Sequence, residues 1–101
     1  MKELFERVTQ WQVKTFPGTT KESVAKHLVK ESNELLEAVQ QKTDEEVQEE
    51  IADNFILLFN LAKKYNMDYW DVVVTIEKKT FKNLSRTWKA PDADGCVHHE
   101  K

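Results

Sequence analysis

The stretch Glu50–Phe59, EIADNFILLF, decides how this chain is read. Two carboxylates three residues apart lead directly into one of the most apolar runs of the sequence. At about 100° per residue, Ile51, Phe55, Leu58 and Ala62 share one face of a helix. Glu50 and Asp53 lie on another, which continues through Leu57 and Leu61. The acids therefore head a second apolar stripe and are expected near packing surfaces rather than on a wet face.

Working outward, Thr43-x-x-Glu46 has the form of a capping box and predicts the start of this helix, which ends near Tyr65-Asn66. Upstream, Thr19-x-x-Glu22 has the same form and predicts a helix running to about Gln41. Its apolar stripe reads Val24, Leu28, Leu35 and Val39, with Glu31 inside the stripe where Leu would be ordinary. Glu34 and His27 sit along one edge, and Glu37 points to the opposite side. An earlier amphipathic helix spans Lys2 to Thr15, with Leu4, Phe5, Val8, Trp11 and Phe16 near helical spacing, until Phe16-Pro17-Gly18 breaks it. Asp68 can cap a fourth helix from Tyr69 to about Arg86, after which Pro91 and Asp94-Gly95 mark an irregular tail. The expected fold is all-α and four-helix bundle-like, with short loops. Residues 1–90 are expected to form a single helical domain and 91–101 the tail.

Composition agrees. A chain of 101 residues has room for one core, and its 40% hydrophobic and 33% charged content is that of a foldable domain. Two Gly and two Pro supply too little turn material for a sandwich or barrel. The net charge of −3 gives no electrostatic reason for nucleic-acid binding. No apolar run approaches the roughly 20 residues needed to span a bilayer, and MKELFERVTQ does not resemble a signal peptide. The single Cys96 excludes an internal disulfide framework and suits a reducing compartment, so a cytoplasmic location is expected. A helical chain this short buries limited area alone, and subunit association is expected to cover its apolar faces.

The chemistry lies in the acids. Carboxylates brought together in a partly dry place repel one another, so either their pKa values rise or a cation sits among them. Oxygen ligands without Cys or His match the hard cations Mg²⁺ and Mn²⁺. Glu31 and Glu34 on one helix, with Glu50 and Asp53 on the next, supply four carboxylates. That is enough to hold a cation and leave positions for water and substrate phosphates. The plainer reading is a solvated, Glu-rich helix, since a single E-x-x-E is common by chance. A ferritin-like di-iron site is excluded, because it needs Glu-x-x-His pairs and the chain has none. On the fourth helix Lys79, Asn83 and Arg86 fall on one face and suit phosphate binding, although the two cations can also pair with acids or complement the helix C-terminus.

These residues resemble a known family. Glu31-x-x-Glu34 followed by Glu50-x-x-Asp53 is similar to the metal signature of the MazG-like all-α nucleoside triphosphate pyrophosphohydrolases. The likeness is closest to the dATP/dGTP diphosphohydrolase N-terminal family. It is carried by His27-Leu28-x-x-Glu31-x-x-Glu34-Leu35, by Lys79-x-x-x-Asn83-x-x-Arg86-x-Trp88 and by Pro91-Asp92-x-Asp94-Gly95-x-x-His98. The resemblance implies Mg²⁺-dependent cleavage of a nucleoside triphosphate between its α and β phosphates, with purine deoxynucleotides the first expectation and Mn²⁺ a possible substitute. It implies Glu31, Glu34, Glu50 and Asp53 as catalytic metal ligands. It also implies Lys79, Asn83 and Arg86 as phosphate or sugar contacts, and a homodimer or homotetramer. His27 is open between a substrate contact and a packing role. Many relatives carry a further Glu where this chain has Lys30, so any role of that Glu in water activation is vacant here or filled differently. Two alternatives stand: a non-catalytic helical oligomer of the same fold, and a phosphoribosyl-ATP pyrophosphatase of the same superfamily.

Overall fold

The computed structural model describes residues 1–86 and 88–98; the last three positions expected in the tail, 99–101, lie outside them. Four helices form in the expected order: α1 (Lys2–Thr15), α2 (Lys21–Gln41), α3 (Asp44–Lys64) and α4 (Tyr69–Leu84). The chain divides into two compact units, Met1–Trp70 and Asp71–Lys101. No helix among the described residues is long and apolar enough to cross a membrane.

In the first unit, α2 and α3 make the most extensive contact and α1 packs against α3. The core is small: Phe5, Val24, Ala38 and Leu57 are its buried apolar residues. Phe5 meets Phe59 edge-on with centroids 5.1 Å apart, and Tyr69 lies 6.1 Å away. The inward line of α1 is Phe5, Thr9 and Gln12, not Leu4 and Trp11, which are 49% and 54% exposed. Thr9 can be buried because its hydroxyl donates to the Phe5 carbonyl at 2.9 Å. On α2 the expected stripe drifts in the same way. Val39 is exposed, and the small Ala38 takes the buried position where the helices approach.

The start of α2 differs from the sequence reading by one residue. Thr20, not Thr19, is the N-cap, and its hydroxyl accepts the Ser23 N–H at 3.1 Å while Ser23 Oγ accepts the Thr20 N–H at 2.8 Å. Thr19 is already engaged, since its hydroxyl and its N–H both donate to the Phe16 carbonyl and close the turn after α1. Glu22 pairs instead with Lys26 at 3.2 Å. Thr43 caps α3 as expected, accepting the Glu46 N–H. The end of α3 is a Schellman motif, with Met67 N–H donating to the Ala62 carbonyl and Asn66 N–H to the Lys63 carbonyl. Asn66 adopts φ 60°, the left-handed conformation that Asn tolerates better than most residues.

In the second unit, α4 ends at Leu84, so Arg86 stands just beyond the helix rather than within it. Its N–H donates to the Asn83 carbonyl in the terminal turn. The segment from Lys89 to His98 is hydrogen-bonded: Lys89 N–H donates to the His98 carbonyl and Asp92 N–H to the Cys96 carbonyl. Asp92 Oδ1 accepts the N–H groups of Asp94 and Cys96, and Gly95 supplies the φ of 80° that the turn requires. These bonds, with His98 on the other oxygen, hold the Asp92 carboxyl below its usual range.

The shifted cap is testable by thermal or urea unfolding. Thr20→Ala is expected to cost about 1 kcal/mol and Thr19→Ala clearly less. The reverse order would place the cap one residue earlier.

Candidate metal centre and adjoining cleft

The α2–α3 contact brings three acids together. One carboxylate oxygen from each of Glu31, Glu50 and Asp53 lies within 4.8 Å of the other two. Glu31 and Glu50 are half-buried, while Asp53 is exposed. Asn54 joins the two helices beside them. Its Nδ2 donates to the Glu50 carbonyl at 2.8 Å and to the Glu31 carbonyl at 3.4 Å, and Ser32 Oγ donates to its Oδ1 at 2.9 Å. The backbones that carry Glu31 and Glu50 are thus tied through one amide. The Asn in EIADNFILLF was the signal, since an amide on a helix–helix face has to find partners.

Glu34 stands outside the close trio. Its side chain hydrogen-bonds that of Glu31. Glu31 holds its proton to higher pH than usual. Burial is the largest cause, followed by the hydrogen bond and repulsion from Glu34; Asp53 adds to the effect and His27 opposes it. His27 Nε2 lies 3.2 Å from Glu31 Oε1, so this His contacts a cluster acid directly.

The residues fit a hard divalent cation. The donors are all oxygen, and Glu50 Oε2 is buried with no hydrogen-bond partner among the described residues. An orphaned carboxylate oxygen is costly in a protein interior unless a cation meets it. Mg–O bonds are about 2.1 Å long, so ligands of one ion stand at most about 4.2 Å apart. The observed spacing is within small side-chain rotations of that limit.

A cavity of about 350 Å³ adjoins the cluster. Glu31 and Asp53 line it together with Trp11, Gln12, Phe16 and Asn60, and its size lies within the range of small-molecule sites. Sequence reasoning missed Gln12 and Asn60. Both sit on the inward lines of their helices, and Asn60 extends the face of Glu50, Asp53 and Leu57. Trp11, on the apolar spacing of α1, meets Phe16 edge-on at 5.5 Å in this cavity.

In the second unit, Lys79 is exposed, while Asn83 and Arg86 are partly buried and joined: Arg86 Nη1 donates to Asn83 Oδ1 at 3.3 Å. Trp88 Nε1 donates to the Asn83 carbonyl at 3.0 Å. The Asn83, Arg86 and Trp88 of the quoted motif therefore form one local hydrogen-bonded group.

An oxygen-only acidic cluster opening into a ligand-sized cleft suits a divalent cation and the phosphate groups it would neutralise. Residues 19–84 match the MazG nucleotide pyrophosphohydrolase domain, and the chain belongs to that family of nucleotide pyrophosphohydrolases. Among solved structures it is similar to the cyanophage S-2L MazG-like pyrophosphohydrolase bound to dGDP and three catalytic Mn²⁺ ions per active site. That similarity has a TM-score of 0.77 and 25% identity, and covers 98% of this chain and 95% of that one. No curated protein matches the sequence.

The raised Glu31 pKa sets a pH dependence. At Glu31 the folded metal-free protein holds a proton more tightly than the unfolded chain, so this group's contribution to stability falls as pH rises from 4.5 through the raised value. A divalent ion needs the deprotonated ligand, so its stabilising effect grows across the same window. Melting temperatures measured with and without Mn²⁺ from about pH 4.5 to about pH 8 should diverge as pH rises. A metal-induced shift that is absent, or constant with pH, would contradict the site.

Proposed function

We propose that the protein hydrolyses nucleoside triphosphates, purine deoxynucleotides foremost, to the monophosphate and pyrophosphate with Mg²⁺, and that Mn²⁺ can replace it. The observation that carries this reading is the convergence of Glu31, Glu50 and Asp53 within 4.8 Å, with Glu50 Oε2 buried and unpartnered. The dGDP held by the cyanophage relative supports a purine deoxynucleotide.

Glu31, Glu50 and Asp53 hold the metal, with Glu34 beside them as a further ligand or as the acceptor of the proton from the attacking water. A bound divalent ion neutralises triphosphate charge and acidifies water. Phosphoryl transfer needs chiefly charge neutralisation and in-line positioning, so no protein nucleophile is required. His27 steadies Glu31 and lies at the edge of the cavity. Lys79, Asn83 and Arg86 are assigned to phosphates or sugar on their chemistry: Lys as a point charge, Arg as a fork oriented by Asn83.

The catalytic domain is taken as residues 1–90, with 91–101 as its tail. A homodimer or homotetramer is the working form. Its support is the small core and the exposed Ile51, Phe55 and Leu58, spaced along one face of α3. A cytoplasmic setting without nucleic-acid partners accords with the exposed free Cys96 and the net charge of −3.

Glu50→Gln and Asp53→Asn keep shape and remove charge. Each should lower kcat/KM for dNTP hydrolysis by about 10²-fold or more with helicity by circular dichroism retained. Pyrophosphate, not single phosphate, should be released. Unchanged rates in both variants would reject the assignment.

A further inference from the structure

We infer that Asn60, held in place by Gln12, is the residue that reads the nucleobase. This inference rests on the nucleotide-hydrolysing function proposed above and assigns the base-recognition element of that site.

Asn60 is 2% exposed, in the interior of α3 where an apolar residue would be ordinary. Its Nδ2 donates to Gln12 Oε1 of α1 at 3.2 Å, and its Oδ1 is buried with no partner among the described residues. A buried acceptor without a partner is destabilising, and native interiors leave few of them. A ligand N–H would satisfy it once a small rotation of the amide turns it toward the cavity that Asn60 lines. Turning both amides over together keeps the Gln12–Asn60 bond and leaves an N–H unpartnered instead, so the pair retains one unsatisfied group in either orientation.

The surroundings match a base rather than another ligand. Gln12 and Asn60 line the same cavity as Glu31 and Asp53 of the acidic cluster. Trp11 and Phe16, edge-to-face at 86°, bring aromatic surface to that cavity, and Leu57 adds an apolar wall. Aromatic surface with one or two amides is how proteins grip an unpaired base, by stacking and by hydrogen bonds to its edge. Asn60 follows Asp53 by two helical turns, about 10 Å along α3 at the rise of an α-helix. That separation suits a nucleotide whose phosphates meet the acids while its base meets the amides. A purine such as guanine presents imino and amino N–H groups to the free acceptor, and its ring faces suit the aromatic wall.

The test titrates deoxyguanosine, which has a base and no phosphate, into ¹⁵N-labelled protein. The Asn60 side-chain NH₂ signals, assigned by their loss in Asn60→Leu, should shift saturably. 2-Deoxyribose, without a base, should leave them unmoved. Asn60→Leu should bind deoxyguanosine about 10–100-fold more weakly, with its helicity intact. Gln12→Leu, which frees the Asn60 amide to rotate, should show a smaller loss. A kinetic arm compares dGTP with abasic deoxyribose triphosphate: Asn60→Leu should lower kcat/KM about 10–100-fold for dGTP and leave the abasic rate within about twofold.

No shift at Asn60, equal nucleoside binding by wild type and Asn60→Leu, or an equal loss on both triphosphates would overturn the inference. The last pattern would mark Asn60 as a purely structural residue. A wild type that binds deoxyguanosine through Asn60 but cleaves no triphosphate would sink the proposed function and keep the base site. Cleavage of dGTP and the abasic compound at the same rate in wild type and variant would do the opposite.

Discussion

The structure of the first unit depends on an electrostatic conflict built into a helix–helix contact. Packing α2 against α3 brings acids from both helices within 4.8 Å, where like charges in a half-dry setting repel. Asn54 holds the two backbones in that register through the carbonyls of Glu31 and Glu50. Burial, and after it this crowding, raises the pKa of Glu31. A divalent cation bound there would relieve the repulsion more completely, and would thereby link folding of this hairpin to metal binding.

The rest of the unit serves this contact. Thr20 and Thr43 set where α2 and α3 begin, and so fix the rotation at which Glu31, Glu50 and Asp53 present themselves. α1 contributes little core beyond Phe5, but it supplies Trp11 and Gln12 to the cleft beside the acids. Lys64 Nζ donates to the Thr19 carbonyl at 2.6 Å and Lys21 lies over the Tyr65 ring, so the α1–α2 linker is tied to the end of α3. The cleft's α1 wall is thereby tied to the helix that carries Glu50 and Asp53.

Much of this was legible in the sequence, for identifiable reasons. Threonines at the helix starts, Asn66 at a helix end and the apolar periodicity gave four helices with small boundary errors. The start of α2 was read one residue early because both threonine hydroxyls can cap, and only the turn after Phe16 decides which is free. Glu31 within an apolar stripe, and Glu50 at the head of another, marked the acidic cluster before any coordinates. Glu34 was grouped with them on spacing and on the family resemblance, and it stands beside the close trio, hydrogen-bonded to Glu31. Asn54, Asn60 and Gln12 escaped because a polar residue on an inward face reads as a boundary of the stripe until its partner on another helix is known. The buried line of α1 was misjudged because Thr9 hides its hydroxyl in its own helix, and sequence patterns count Thr as polar.

The central claim is that Glu31, Glu50 and Asp53 share a divalent cation. Crystals grown or soaked with Mn²⁺ and measured for anomalous scattering test it most directly. The account predicts an anomalous peak among these three side chains, within coordination distance of all three carboxylates and lost in Glu50→Gln. A fully exchanged crystal with no peak there, or with manganese bound only at other surface acids, would contradict it.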